Sequence, residues 1–161
     1  MFINSTSHYC FMRICLGGTF DRFHKGHKAL IKKAFEIAGK NGYVFIGITR
    51  GDLTKKRKRV RNYEERENIV KKHILKYGFF QKFNIEPIED KYGPTLDEDF
   101  DAIVVSPETR KTAEEINEIR KSKGKKPLKI VEISYVLAKD SKPISSTRII
   151  NGEIDEEGNI L

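Results

Sequence analysis

The stretch Gly17-Gly18-Thr19-Phe20-Asp21-Arg22-Phe23-His24-Lys25-Gly26-His27 brings two glycines, a hydroxyl, a carboxylate and two imidazoles into one short segment. The glycines let backbone come close to a ligand. A helix predicted to begin near Lys25 turns its free N–H groups and the positive end of its dipole toward the same spot. His24 and His27 share roughly one face of that first turn, and Gly26 between them leaves room for a bulky phosphate. The chemistry implied is a phosphate cradle. The spacing is neither the G-x-x-x-x-G-K-[ST] of a Walker loop nor the G-x-G-x-x-G of a dinucleotide fold. Zinc on His24 and His27 lacks an evident third ligand. A lone histidine near a helix start is ordinarily a packing or surface residue, but a pair in this setting is harder to read that way.

A second segment, Pro143-Ile144-Ser145-Ser146-Thr147-Arg148, has the same character. Serine and threonine here are ordinary N-caps. Arg148 adds a cation, and two helix ends from opposite halves of one sheet can grip one triphosphate. Two basic runs complete the inventory. Lys55, Lys56, Arg57, Lys58, Arg59 and Arg61 crowd one loop, and Lys121, Lys123, Lys125, Lys126 and Lys129 form another, which reads as a solvated surface.

The elements that must position these groups alternate between strand and helix. Strands are predicted at 12–16, 43–49, 82–88, 102–105 and 129–134. Helices are predicted at 25–38, 63–77 and 108–121, with a short one from Ser145 or Ser146 to Gly152. Apolar residues at helical spacing mark the first helix, Gly39 and Gly78 suit helix ends, and β-branched runs mark the strands. Ala113, Ile116 and Ile119 are expected to face inward from the 108–121 helix. Such alternation implies parallel pairing through right-handed crossovers. The expected fold is α/β, a single Rossmann-like three-layer domain over residues 1–161 with about five parallel strands. Residues 1–10 read as an extension, and the acidic stretch from Glu153 as a surface strap. Ligands in such sheets bind at the carboxyl ends of strands where strand order reverses.

Composition agrees with a globular chain. It has 161 residues, 38% hydrophobic and 34% charged, with a formal net charge of +8. A basic balance favours anionic partners. No run approaches the ~18 apolar residues of a membrane span, and polar residues from Asn4 to His8 stand where a secretory signal needs an apolar core. Cys10 and Cys15 would sit ~16 Å apart in an extended segment, at about 3.3 Å per residue, beyond disulfide reach. A reduced, cytoplasmic setting is expected.

T-F-D-x-x-H-x-G-H together with I-S-S-T-R resembles the nucleotidyltransferase superfamily with the HIGH-type motif. GGTFDRFHKGHKALI, KYGF, YGPTLDEDFDAIVVSPET, GKKPLKIVEI and KPISSTRIINGEID are similar to the archaeal-type phosphopantetheine adenylyltransferases, from Met12 to Gly158. The resemblance implies that ATP and 4′-phosphopantetheine give dephospho-coenzyme A and pyrophosphate, a step of coenzyme A synthesis. The substrate phosphate would attack the α-phosphorus directly, without a covalent enzyme intermediate. An anionic phosphate needs no general base, so the work is positioning and charge neutralisation. His27 is then the ligand of the α-phosphate, acting more strongly if protonated, and His24 also meets the triphosphate. Gly18, Thr19, Phe20 and Gly26 complete that side, with Thr19 orienting the attacking phosphate. Ser145, Ser146, Thr147 and Arg148 hold the leaving pyrophosphate. Lys55, or its neighbour Lys56, is the lysine reaching both substrates. Ser106, Glu108, Thr109 and Arg110 lie where adenosine would. Mg²⁺ is expected with ATP, held by phosphate oxygens and water, and Asp21 is expected to tether its loop. The bacterial-type enzymes have threonine where His24 stands, which places the chain nearer the cytidylyltransferase-like branch. The pantetheine arm needs an apolar groove, for which residues after Tyr92 and Gly93 are candidates.

Two other readings stand beside this one. A related nucleotidyltransferase would use nicotinamide mononucleotide, flavin mononucleotide or glycerol phosphate. Cytidylyltransferases carry R-T-x-G-I-S-T, whereas Asp140-Ser141-Lys142-Pro143 precede Ile144 here. A nucleic-acid binder would need exposed aromatics or a basic groove-reading helix, yet the basic run precedes the 63–77 helix. The expected partners are therefore small molecules, with no nucleic acid or membrane. His27→Ala is predicted to lower turnover by orders of magnitude with folding intact, and Lys58→Ala to do little. Steady-state kinetics alongside circular dichroism checks both.

Overall fold

The computed structural model describes residues 12–161, so Cys10 and the expected extension at 1–10 lie outside the described residues. Five strands form one sheet: β1 (Arg13–Gly18), β2 (Tyr43–Thr49), β3 (Lys82–Ile88), β4 (Ala102–Val105) and β5 (Lys129–Glu132). The order is β3-β2-β1-β4-β5 with every pairing parallel. Strand order reverses between β1 and β4, so the loops above these two strands diverge and leave a crevice.

Four helices lie between the strands, α1 (Lys25–Ala38), α2 (Asp52–Lys55), α3 (Tyr63–Tyr77) and α4 (Arg110–Ser122), and α5 (Ser146–Ile150) follows β5. A 3₁₀ turn at Gly93–Leu96 lies in the β3–β4 connection. Strand alternation sorts the layers. Ile14 and Leu16 of β1 join a core with Ile31, Ala34 and Phe35 of α1 and with Val70 and Ile74 of α3. Cys15 points the other way, into a core with Phe45, Ile103 and Val105 and with Ala113 and Ile116 of α4. Three layers result. Val44, Phe45, Ile46 and Ile48 of β2 are all buried, because a parallel strand covered on both faces reads as a continuous apolar run.

Several boundaries differ from the sequence expectation. β1 starts one residue later and runs on through Gly17 and Gly18, which pair with Gly47 and Ile48 and so stay in the ladder. α4 begins at Arg110, because Ser106–Thr109 closes a turn in which the Thr109 and Arg110 amides both donate to the Ser106 carbonyl. β5 ends at Glu132, although the Ile133 amide still reaches the Val105 carbonyl. α2 and the 3₁₀ turn were not foreseen, being too short to show a period. In α4, Ile119 is half-buried, and the inward position beside it belongs to Arg120.

Arg120 is 1% exposed. Its guanidinium donates to the Lys126, Thr95 and Glu98 carbonyls at 2.8, 2.8 and 3.0 Å, and reaches Asp99 at 3.3 Å. It therefore ties α4 to the β3–β4 connection. Arg120→Met, which keeps bulk but orphans buried carbonyls, is expected to destabilise the fold by about 3 kcal/mol. Urea unfolding with an unchanged slope checks this.

Candidate active site

The loop leaving β1 is held in an unusual backbone path. Phe20 and Arg22 adopt φ of 52° and 47°, in the left-handed region that non-glycine residues seldom occupy. Burial of the Phe20 ring in the α1 core compensates, and Gly18 makes it possible, since a Cβ there would stand 3.1 Å from that ring. Asp21, expected as a tether, is 2% exposed and accepts the Arg61 amide at 3.2 Å. Its Oδ2 is buried without a hydrogen-bond partner. Its carbonyl accepts the Ser146 hydroxyl.

His24 is the N-cap of α1. Its Nδ1 accepts the Gly26 amide at 3.1 Å, and Nδ1 of His27 accepts the His24 amide at 3.2 Å. This is a capping box built from two imidazoles rather than from serine and glutamate. The rings stack with centroids 3.7 Å apart, and Phe20 and Phe23 flank His27. With both Nδ1 atoms accepting, the neutral rings carry their protons on Nε2. Burial lowers His24 from 6.5 to about 4. It also lowers His27 well below its ordinary value, helped by His24 and Arg57.

One expectation about this turn is corrected. The helix amides are not all free for phosphate: Lys25 N–H donates to the Glu156 carbonyl at 3.0 Å, and Gly26 N–H is taken by His24. A Cβ at Gly26 would lie 2.9 Å from His24 Cε1, so this glycine also makes room for the His24 ring.

A cavity of about 890 Å³ opens above the β1–β4 divergence. Gly18, Thr19, Phe20, His24, Gly26 and His27 line it from one side, and Ser145, Ser146 and Thr147 from another. Ser106, Glu108 and Thr109 stand above β4 on the same wall. Ser145 caps α5 by accepting the Arg148 amide at 3.2 Å. Thr19 accepts the Thr49 hydroxyl at 3.0 Å, and its carbonyl takes a 2.8 Å bond from the buried Arg66 guanidinium.

Three expected cations are not on the wall. Arg148 is bound by Asp140 and Glu153 and donates to the Pro143 carbonyl at 2.9 Å. Arg110 pairs with Glu114 at 3.0 Å and with Glu132 at 3.7 Å. Lys55, exposed at the end of α2, pairs with Asp52. From the basic loop it is Lys56, Arg57 and Lys58 that reach the cavity. Lys58, from which little effect was expected, is thus a wall residue. Each of these three cations is paired with acids: Asp52 and Glu114 at helical i, i+3 and i, i+4 spacing, and Glu132, Asp140 and Glu153 from outside the cation's own helix, where spacing gives no signal.

Sequence reasoning also missed most of an apolar wall. Cys15, Phe45, Ile88, Tyr92, Ile103, Val105, Ala113 and Ile116 line it, with Gly93, Pro94 and Thr95 at its rim. These residues read as ordinary core, and only Tyr92 and its neighbours carried a signal. Burial pushes the Cys15 thiol up to about 12, so it serves here as an apolar surface. Ser134, Tyr135 and Val136 also line the cavity, just past the end of β5. The strand-end rule could have found them.

A five-stranded parallel sheet with a histidine pair after its first strand and a hydroxyl cluster near its last helix defines an α/β nucleotidyltransferase-like protein. The cytidylyltransferase-like family profile matches residues 15–152. Phosphopantetheine adenylyltransferase of Methanosarcina mazei is 48% identical over 149 residues, covering 92% of this chain and 96% of its own. That of Archaeoglobus fulgidus is 43% identical over 152 residues, covering 93% and 100%. A crystal structure of an Archaeoglobus fulgidus protein described as of unknown function superposes with a TM-score of 0.69 at 38% identity, covering 76% of this chain and 89% of that one. The chain belongs to the cytidylyltransferase-like family and, within it, to the phosphopantetheine adenylyltransferases. Among the described residues, no helix is long and apolar enough to cross a membrane.

The imidazole caps set a pH dependence. An unfolded histidine near 6.5 binds a proton more readily than folded His24 at about 4, so acid favours the unfolded chain. Stability is expected to be level above pH 6.5 and to fall as pH drops from 6.5 toward 4. Urea unfolding across that range checks it, and His24→Asn should make the decline shallower, with His27 still contributing.

Proposed function

We propose that this chain transfers the adenylyl group of ATP to 4′-phosphopantetheine, yielding dephospho-coenzyme A and pyrophosphate. One observation carries the reading at the level of residues. A pair of imidazole N–H donors opens onto a cavity whose other wall is apolar, which suits a triphosphate at one end and a long uncharged arm at the other. The volume lies within the range of small-molecule sites.

In this mechanism an oxygen of the acceptor phosphate attacks the α-phosphorus of ATP in line. The bond from the α-phosphorus to the bridging oxygen breaks, and the electron pair leaves on pyrophosphate. No base is needed, because the nucleophile is already an anion. His27 Nε2–H donates to the α-phosphate, where charge builds up, and His24 Nε2–H donates beside it. Both donors act as neutral rings, which burial favours, and a bound polyanion draws their proton affinity up. Thr19, braced by Thr49 and Arg66, orients the acceptor phosphate. Ser145, Ser146 and Thr147 hold the departing pyrophosphate. Lys56 takes the bridging place expected of Lys55, with Arg57 and Lys58 adding positive field. The turn at Ser106–Thr109 offers peptide groups to the adenine.

Mg²⁺ fits as a companion of ATP. The charged oxygens of the triphosphate and water would hold it, and Asp21, a lining residue whose Oδ2 is buried without a partner, would suit a water of its shell. Bound there, the ion neutralises triphosphate charge. The apolar wall from Phe45 to Ile116 accommodates the pantetheine arm, which glycerol phosphate lacks.

Pyrophosphate release from Mg-ATP is the test, with 4′-phosphopantetheine, nicotinamide mononucleotide, flavin mononucleotide and glycerol 3-phosphate as acceptors and CTP in parallel. Release with ATP and phosphopantetheine alone is expected. Release only with another acceptor overturns the substrate assignment.

A further inference from the structure

We propose that residues 153–161 are a positioning strap that sets the spacing between the two phosphate-gripping helix starts, with Gly158 as its lock. The inference rests on the adenylyltransferase reading above and assigns a role in that reaction to residues outside the cavity. None of residues 153–161 lines the cavity.

The strap touches both halves of the site. At one end the Glu156 carbonyl accepts the Lys25 amide at 3.0 Å, and Glu157 pairs with Lys28 at 3.2 Å. Lys25 is the first residue of α1 and follows the capping His24, so this bond fixes the turn that aims both imidazoles. At the other end the Gly158 carbonyl accepts the Lys139 amide at 2.9 Å. Gly158 also lies against Ile144, the residue before the cap of α5. Ile154, fully buried, packs with Ala138 and Ile144 under α5. α5 has only five residues, far too few to hold its own geometry. Its place is set by what it rests on.

Gly158 is where the strap admits one residue type. Its φ is +84°, and a Cβ would stand 3.0 Å from the Ala138 Cα and 2.8 Å from Ile144 Cδ1. The turn that delivers it is internally closed: Asp155 Oδ1 accepts the Glu157 and Asn159 amides at 2.9 and 2.8 Å. A closed turn transmits displacement rather than absorbing it. A shift at Gly158 therefore moves the Glu156 carbonyl off Lys25 and pushes Ile144, and with it the bonded Ser145, out of place together. Both changes fall on ATP, while the apolar wall is untouched.

The test uses Gly158→Val and Asp155→Ala in the whole chain. Each is assayed for kcat, for KM of Mg-ATP and of phosphopantetheine, for ATP Kd by calorimetry, and for folding by circular dichroism and thermal melting. In Gly158→Val, KM and Kd for ATP are expected to rise about tenfold or more, within the roughly hundredfold that an ångström of misplacement can cost. KM for phosphopantetheine is expected to stay within about twofold. Asp155→Ala should move the same quantities in the same direction by less. Folded variants that handle ATP as the unaltered chain does overturn the proposal. So do KM values that rise equally for both substrates in step with a lower melting temperature. Should Gly158→Val fail to fold, Asp155→Ala decides by the same criteria. An unaltered chain that binds ATP but transfers no adenylyl group overturns the functional reading alone, and the ATP Kd values still judge the strap. A chain that binds no ATP overturns both.

Discussion

The interlocked Nδ1 hydrogen bonds of His24 and His27 are the constraint on which the site depends. Each imidazole gives up its Nδ1 to a backbone amide of the same helix turn. That satisfies amides a helix start would otherwise leave open. It also fixes which nitrogen carries the proton and which way each ring faces. Capping and the aim of both rings into the cavity are thereby one arrangement: the rings cannot turn from the cavity without fraying α1. Gly26, the phenylalanines and the neighbouring charges all follow from keeping two rings stacked and neutral in a buried place.

Around this pair the loops are joined at Asp21. Its carboxylate holds the end of the basic loop through Arg61, and its carbonyl holds α5 through Ser146. Arg66 adds a second brace, donating to the Arg61 and Thr19 carbonyls at 2.9 and 2.8 Å. Two buried arginines, Arg66 and Arg120, act on backbone carbonyls and so organise loops that have little regular structure of their own. In a basic chain some cations are structural, and the basic loop brings Lys56, Arg57 and Lys58 to the cavity, where Lys91 also stands.

Much of this was legible in the residues. The five strands and the three long helices announce themselves by period, and the bounds of α1, β2, α3, β3 and β4 fall where apolar spacing and glycine stops put them. The histidine pair stands out as having few bland uses at that spacing, whereas the serine–threonine cluster alone reads as an ordinary cap, which Ser145 is. What spacing does not carry is the outcome of competition among charges. Arg148 and Arg110 look free in a sequence and are held by Asp140, Glu153, Glu114 and Glu132 in the fold. Buried Arg66 and Arg120 violate the polar-out pattern because each finds several carbonyls at once. The apolar wall was hidden for the opposite reason, since a cavity lining and a packed core use the same residues.

The Ser146 hydroxyl bond to the Asp21 carbonyl spans 125 positions along the chain, and the Lys28–Glu157 pair spans 129. Contacts so distant in sequence close late, because the entropy of loop closure precedes any reward from them. The sheet from β3 to β1 can assemble from nearer segments, while the two sides of the cavity meet only as the last helix docks. A chain still folding presents its histidine pair without the facing hydroxyls, so the cavity is a property of the finished fold.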